Sequence, residues 1–427
     1  MSALLLGGPA LLSLASLSPL TSTSCRSEST RQQARPWPLN DAIEAGTSYL
    51  IKHLNDDGSF VYRVNADGSP AKPRYNVLRH AGSIYALADA HDDAPSPELR
   101  EAILRSTRFL LERHVDTVRG VGHPGVFSLP DLETRSGKRQ LKLGGCGLGL
   151  VALIRARELD EQLVPLETLR GLGRTILFFQ QPDGSFKSKY DDVNKKFFDF
   201  KSLYYPGETI LVLTLLYELD PDPTWLNAAA RAAGYLTTSR EGVARSELPK
   251  DHWLMIASAR LLPHWDKLAS PPVPAEEFRQ HVLELGRAFI EQQQAVARET
   301  GGELGPTMTD ERSTPTATTL EGLVAIHGLL KQEDPEERAL RAELERSLRG
   351  GARSVMESQL RSGPLRGGVM RAPYQKTGNS KGVKDFNARQ SEIRIDYVQH
   401  ALSAFLGAKR IGVNVMSDAS ATKRGPS

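Results

Sequence analysis

The feature that most constrains this chain is a helix–turn–helix unit that recurs six times. From Pro38 onward, apolar residues recur with the helical period, and β-strand patterns are nearly absent. The helical segments come in pairs, an amphipathic first member such as DAIEAGTSYLIKHL and a more apolar second member such as TTLEGLVAIHGLL. First members begin near residues 41, 98, 166, 224, 275 and 337, and second members near 76, 142, 206, 251, 315 and 392. A unit of this size that repeats throughout predicts a helical array.

The turn inside each pair also repeats. Four turns are similar, namely NDDGSF (55–60), QPDGSF (181–186), TGGELG (300–305) and GPLRGGV (363–369), whereas GHPGVF (122–127) and SREGVARSE (239–247) are less regular. Glycine supplies the left-handed backbone that ends a helix, and aspartate favours the turn. The recurrence of the turn supports six copies of one hairpin.

Two architectures satisfy this pattern, an open superhelix and a closed toroid. The toroid is favoured because the second helices are apolar nearly all round, as the helices of an inner ring must be. The repeat count and the turn QQPDGSF resemble the (α/α)6 toroids, which include six-hairpin glycosidases, polysaccharide lyases, sugar epimerases and the terpenoid cyclase and prenyltransferase group. The resemblance covers nearly the whole mature chain and implies an all-α (α/α)6 toroid of six helical hairpins. It implies less about function, because one fold hosts many activities.

If the second helices form the inner wall, their N-termini open at the same end of the toroid, and the residues there are unusually polar. The predicted site residues are Glu208, Asp396, Asp251, His80 and His400 for catalysis, and Asn76, Arg79, Tyr204, Tyr205, His252, Trp253, Glu321, Arg394 and Tyr397 for substrate binding. Each also has a structural interpretation, since polar side chains cap helices and aromatic rings fill cores. Six polar helix starts together predict a water-filled cleft, because burying so many unpartnered ionisable groups would be costly.

These residue types fit several functions. Glycoside hydrolysis needs one protonated and one ionised carboxylate, and the preferred pair is Glu208 and Asp396, each flanked by tyrosine and followed by an apolar helix. A uronate lyase or a sugar epimerase instead needs a base, for which His80 or His400 is available, and neighbours that neutralise charge. The sequence places a glycosidase-like enzyme slightly first. The open alternatives are lyase, epimerase, a non-catalytic toroid that binds a glycan or a protein, and a cyclase-like toroid without the acidic motif.

Other cofactors and partners are disfavoured. There is no DxDD run of a terpene cyclase, and Cys146 lacks the D-x-C context of a prenyltransferase zinc site, so no metal or other cofactor is expected. The 54 basic and 51 acidic residues nearly balance, and no basic run carries interleaved aromatics, so no nucleic acid is expected. The predicted partner is a carbohydrate substrate, and the chain is expected to be a monomer.

The N-terminal segment predicts export. Residues 3–20, ALLLGGPALLSLASLSPL, are apolar but too short and too broken by glycine and proline to span a membrane well as a helix. Cys25 resembles the lipid-bearing cysteine of a bacterial lipoprotein signal, although Ser22 stands where leucine is usual. We therefore expect a signal and linker over 1–37, the toroid over 38–414 and a disordered tail over 415–427. The protein is then periplasmic or an outer-membrane lipoprotein that touches the membrane only through Cys25, and cytoplasmic if this segment is not a signal.

Overall fold

The computed structural model of the protein describes residues 37–69, 71, 74–133 and 137–415. The predicted signal with Cys25 and nearly all of the predicted tail lie outside these residues, so both stay predictions. Among the described residues, none of the helices combines the length and the apolar character that crossing a bilayer requires.

Twelve of the helices in the described part of the chain form six hairpins. The outer helices are α1 (Leu39–Lys52), α3 (Pro97–His114), α6 (Leu166–Phe179), α8 (Pro223–Thr238), α10 (Ala275–Thr300) and α12 (Pro335–Glu357). The inner helices are α2 (Val77–Asp93), α5 (Leu143–Arg157), α7 (Tyr205–Leu219), α9 (His252–Leu261), α11 (Ser313–His327) and α14 (Ile395–Arg410). Two short helices, α4 (Pro130–Glu133) and α13 (Lys381–Asn387), lie in the links, as do the 3-10 segment Arg245–Glu247 and, after α9, the 3-10 segment Leu262–Lys267.

The inner helices form a closed ring. Each packs against the next one in chain order, from α2 through α5, α7, α9 and α11 to α14, and α14 packs back against α2. Burial on all sides explains why the inner helices are so apolar. For example, α5 is buried along almost its whole length, from Leu143 to Ile154. The predicted toroid is therefore confirmed, and the six predicted pairs of helix starts agree with the observed helices to within a few residues.

Glutamine side chains join each of three turns to the next outer helix. The Nε2 atom of Gln180 donates to the carbonyl of Ala228 at 2.8 Å, and that of Gln293 donates to the carbonyl of Ser347 at 3.2 Å. In the last hairpin, Gln359 donates in the same way to Ala42 at 2.9 Å, and this contact links the last turn to the first helix. Each of the three amides also bonds a carbonyl of its own turn. The repeated turn thus fixes how neighbouring hairpins dock.

The glycine of the turn is required at its position. Gly184 has a φ of 89°, which places it in the left-handed region that favours glycine. A Cβ atom there would also collide with the backbone carbonyl of Arg231 on α8. The turn can therefore approach the next outer helix closely only because it carries no side chain at this point.

Seven short strands accompany the helices in the residues that the structure describes. Strands β1 (Arg63–Asn65) and β7 (Glu392–Arg394) pair antiparallel and join the first hairpin to the last. A second sheet has the order β2 (Val115–Thr117), β3 (Pro124–Ser128), β4 (Gln140–Lys142), β5 (Lys189–Asp191) and β6 (Lys196–Phe197), with all pairs antiparallel. Their sequences show little alternation because they span only two to five residues. Strands β4 and β7 end directly before α5 and α14, so they position the starts of two inner helices.

Candidate functional site

Side chains near the starts of the inner helices contact one another across the ring, so these starts share one end of it, here called the mouth. The mouth is partly open to solvent. Tyr204, next to the start of α7, is 42% exposed, and the side chain of Arg79, in the first turn of α2, is 32% exposed. The structure groups most of the predicted site residues here into three sets, described in turn.

The first set, here called the histidine cluster, consists of His252, Glu321 and His400. The Nδ1 atom of His400 lies 2.9 Å from Oε2 of Glu321, at hydrogen-bond distance. The Nε2 atom of His252 lies 3.9 Å from the same oxygen. This nitrogen is buried and has no hydrogen-bond partner among the described residues. The two imidazole rings are 6.0 Å apart, and the exposed Tyr204 ring stands 5.3 Å from His252.

The surroundings shift the pKa values of the two imidazoles in opposite directions. Burial lowers the pKa of His252 well below its usual value, and the nearby charge of His400 lowers it further. Burial also acts to lower the pKa of His400, but the carboxylate of Glu321 outweighs it through charge and hydrogen bonding, so this pKa is raised. The cluster therefore sets a neutral imidazole beside one that favours its protonated form, a pairing suited to acid–base work.

The second set, here called the arginine cluster, surrounds Asp396 with two guanidinium groups. Nε of Arg79 lies 3.0 Å from one carboxylate oxygen, and Arg394 bonds both oxygens, at 2.5 and 2.9 Å. Arg79 also donates to the hydroxyl of Tyr62, and Arg394 stacks over the ring of Tyr397. Burial acts to raise the pKa of Asp396, but the two arginines outweigh it and hold this pKa below its usual value. Asp396 is therefore a fixed anion that holds two cations at the mouth.

The histidine and arginine clusters are continuous. His400 follows Asp396 by one turn of α14, and each feels the charge of the other. Both clusters therefore face the same part of the ring, and a ligand that reaches one lies near the other.

The third set contains Glu208 and Asp251. Glu208 is only 4% exposed, and its Oε2 atom has no hydrogen-bond partner among the described residues. Burial, and then the charge of Asp251, raise the pKa of Glu208 well above its usual value. Asp251 itself is fully buried, accepts from the backbone N–H of Leu254 and pairs with Arg240 at 3.0 Å. Among the described residues, no hydrogen bond or ion pair joins Glu208 to Asp396, the carboxylates expected to work together.

Several predicted residues have structural surroundings instead. His80 is fully buried, with one ring nitrogen 2.7 Å from the hydroxyl of Tyr75 and the other 2.9 Å from the carbonyl of Ser106, and burial lowers its pKa to about 3. These surroundings do not support a catalytic role for His80. Asn76 caps α2 by accepting from two backbone N–H groups. The remaining aromatics lie near the sets without completing them: Trp253 is buried beside His252, Tyr397 donates to Glu392, and Tyr205 packs near Glu208.

The histidine cluster also has the donor types that a metal ion could use. One ligand atom from each of its residues lies within 4.8 Å of the other two. Two histidines and one carboxylate suit zinc or a related ion. The short bond between Glu321 and His400, however, already joins two of the three donors to each other. Cys146, the cysteine considered for zinc, is buried elsewhere against the backbone N–H of Val126, and burial raises its pKa to about 12.

Sequence reasoning missed two features of the mouth. Tyr62 contacts Arg79 but comes from the link of the first hairpin, and no helical period marks it. Glu321 was predicted to bind substrate and was one of four candidate carboxylates for hydrolysis, whereas it holds His400 from two turns inside α11. The distance between residues on different helices decides both roles, and local patterns do not contain it.

Comparison with known proteins supports the architecture. No family model matches the chain, and no curated protein matches it in sequence. Among solved structures, it is similar to a sugar epimerase from a ruminal bacterium, with a TM-score of 0.62 and 13% identity over 88% of this chain and 98% of that one. The chain has the (α/α)6 toroid fold. A cellobiose 2-epimerase from Spirochaeta thermophila gives a TM-score of 0.56 and 14% identity over 92% and 98% of the two chains. A GH76 α-mannanase from Bacteroides thetaiotaomicron gives 0.55 and 11% over 88% and 97%.

Proposed function

We propose that the protein is a carbohydrate-active enzyme that transfers a proton at a sugar carbon next to a carbonyl, as in epimerisation or isomerisation. One observation carries this proposal: the bond between His400 and Glu321 lies beside the buried Nε2 atom of His252, which has no hydrogen-bond partner in the described part of the chain. The fold is shared with a sugar epimerase and a cellobiose 2-epimerase, which is consistent with the proposal.

The reaction needs a base that removes the proton and an acid that returns one. Nε2 of His252 is available to accept the proton from the carbon, because none of the described residues forms a hydrogen bond with it. His400, held by Glu321, supplies a proton to the carbonyl oxygen or to the carbon. In epimerisation, removal of the proton by His252 leaves an enediolate, and His400 returns a proton to the opposite face of the carbon. Exchange with solvent then deprotonates His252 and reprotonates His400. The proton count balances over the cycle, and no oxidant or reductant is needed.

Negative charge that develops on the substrate oxygen needs a nearby cation. Arg79 and Arg394 provide two guanidinium groups that Asp396 already holds in place. Charges fixed before the reaction stabilise a developing anion without the cost of reorganisation. Arg79 in particular remains partly exposed at the mouth, where a ligand can reach it.

Hydrolysis, which the sequence placed first, is the second candidate. The observation in its favour is Glu208, whose raised pKa keeps a protonated carboxyl that could protonate a leaving group. A second, available carboxylate is harder to find at the mouth. Asp251 is fully buried and paired with Arg240, and Asp396 is held by two arginines. Glu321 is bonded to His400. The geometry therefore favours proton transfer by the histidine cluster.

The test is hydrogen exchange at carbon in D2O. The purified protein is incubated with a panel of reducing monosaccharides and disaccharides, and proton NMR follows loss of the signal at the carbon next to the carbonyl. We expect exchange with at least one sugar, and we expect it to fall about 100-fold or more in His252→Gln and in His400→Gln. His264→Gln serves as the matched control, because His264 contacts Glu218 beyond the C-terminal end of α9.

Two results would overturn the proposal. One is release of reducing ends from a glycan without exchange at carbon, which would support hydrolysis, with Glu208→Gln then the inactive variant. The other is exchange that is unchanged in both histidine variants while the variants remain folded. Measurement of thermal unfolding for each variant separates lost chemistry from lost structure.

A further inference from the structure

Two lysines lie directly opposite each other beside the mouth. Strands β4 and β5 pair antiparallel, and their register places Lys142 opposite Lys189. Side chains at directly opposed positions on neighbouring strands lie close together on the same face of the sheet. Lys142 is also the residue that precedes α5, so the pair stands at the start of an inner helix.

Neither lysine has a direct partner for its ammonium group. No hydrogen bond or ion pair to the ammonium group of Lys142 or Lys189 is found among the described residues, although both side chains are half-buried. Lys189 instead stands 4.0 Å above the ring of Phe200. The nearby carboxylate of Glu133 already accepts from the backbone N–H groups of Val77 and Leu129.

Like charges that face each other across two strands destabilise a sheet. Burial lowers the pKa of Lys142, and the charges of Lys189 and Arg79 act in the same direction, opposed by Glu133. An arrangement that costs stability in the free protein is explained if a bound anion repays it.

We propose that Lys142 and Lys189 form a subsite for an anionic group carried by the carbohydrate substrate. Lys142 directly precedes α5, and the starts of the inner helices share the mouth, so the anion would bind beside the site of proton transfer. The inference rests on the proposed function, since it names the class of its substrate: an acidic sugar bearing a carboxylate, phosphate or sulfate rather than a neutral one. Two cations around one anion give charge-assisted bonds, which are stronger than those to neutral hydroxyls.

The test compares binding of a hexose phosphate, a hexuronate, a hexose sulfate and the neutral hexose by isothermal titration calorimetry at low salt. We expect the protein to bind at least one acidic sugar about tenfold or more tightly than the neutral one. Lys142→Met and Lys189→Met should each remove most of this preference. Lys196→Met is the control, because Lys196 is exposed on β6 of the same sheet. The identity of the acidic sugar that binds shows whether the subsite takes a carboxylate, a phosphate or a sulfate.

Thermal unfolding supplies a second measurement. If the lysines only stabilised the fold, replacing either one by methionine would lower the melting temperature. If they form an anion subsite, removing one of the two opposed charges should leave the melting temperature of the ligand-free protein unchanged or raise it. Equal affinity for acidic and neutral sugars in the wild type, or an acidic preference that survives in both variants, would overturn the subsite. Exchange at carbon with neutral sugars would then leave the proposed function standing. Acidic binding without exchange on any sugar would keep the subsite and overturn proton transfer.

Discussion

Replacement of Asp396 by asparagine tests the arginine cluster. The carboxylate of Asp396 is buried and bonds Arg79 and Arg394, whereas the neutral amide of asparagine leaves two guanidinium groups close together without their anion. Removing one partner of a buried ion pair costs about 3–5 kcal/mol. Because Arg79 is a third exposed and can be rehydrated, we expect the lower end of this range, about 3 kcal/mol.

This free energy translates into a modest change of melting temperature. The entropy of unfolding is about 2.1 cal/mol/K per residue, so roughly 380 residues give about 0.8 kcal/mol/K. A loss of about 3 kcal/mol therefore lowers the melting temperature by about 4 °C, measured by calorimetry at pH 7. The control is Asp266→Asn, because Asp266 is exposed and lies away from the mouth, in the 3-10 segment that follows α9. A melting temperature within 1 °C of the wild type would refute the reasoning.

The same variant predicts a dependence on pH with a definite sign. The native pKa of Asp396 lies below its unfolded value of about 3.9, although burial opposes this shift, because Arg79 and Arg394 outweigh it. The carboxylate therefore stabilises the wild type fully above that unfolded value and loses its effect as the pH falls through the native pKa. The difference in stability between wild type and Asp396→Asn should shrink as the pH falls below about 4. A difference that grows as the pH falls below about 4 would contradict the assignment.

Three further predictions concern other parts of the molecule. Gln293→Leu removes the amide that bonds the carbonyls of its own turn and of α12, and should cost about 2 kcal/mol, or roughly 2–3 °C in melting temperature. Glu208→Gln should gain stability relative to wild type as the pH rises from 4 to 8. The native pKa of Glu208 is raised, so the wild type loses stability over this range, whereas the amide of glutamine does not ionise. Removal of divalent ions with a chelator should leave exchange at carbon unchanged, because Glu321 and His400 are bonded to each other.

Each of these predictions has a result that would contradict it, and the first also has a control variant. Gln280→Leu, on the exposed face of the same helix as Gln293, should leave the melting temperature nearly unchanged, and an equal loss in both variants would show that the amide bridge is not the cause. A stability difference for Glu208→Gln that does not vary with pH would show that its carboxyl is not held neutral by burial. Exchange that disappears with chelator and returns with zinc would make the histidine cluster a metal site and overturn direct proton transfer.

The fold was predictable because its signals are local. The helical period, the small apolar inner helices and the repeated DGSF turn all lie within short windows, and they predicted the six hairpins and the closed ring. Even the polar starts of the inner helices were visible in this way. The short strands were not, since two to five residues carry too little alternation to separate them from loops.

The candidate site was predictable only as a collection of residues. His80 and His400 look alike in sequence, as histidines near the start of apolar helices, yet one bonds a tyrosine and a carbonyl in the core and the other bonds Glu321 at the mouth. Glu208 and Asp396 likewise look alike in sequence, since each is flanked by tyrosine and followed by an apolar helix. In the structure, Oε2 of Glu208 has no hydrogen-bond partner among the described residues, whereas Asp396 is bonded by two arginines. Neither difference leaves a local trace.

By itself, the sequence determined the repeating hairpin, the toroid and the end of it at which polar groups collect, because backbone conformation and burial pattern follow from neighbouring residues. Only the tertiary structure decided which side chains meet: His252 with Glu321 and His400, or Lys142 with Lys189. These residues come from different helices or strands, and ring closure and strand register set the distances between them. Proton transfer and anion binding depend on those distances, so the chemistry could be argued only once the ring was closed.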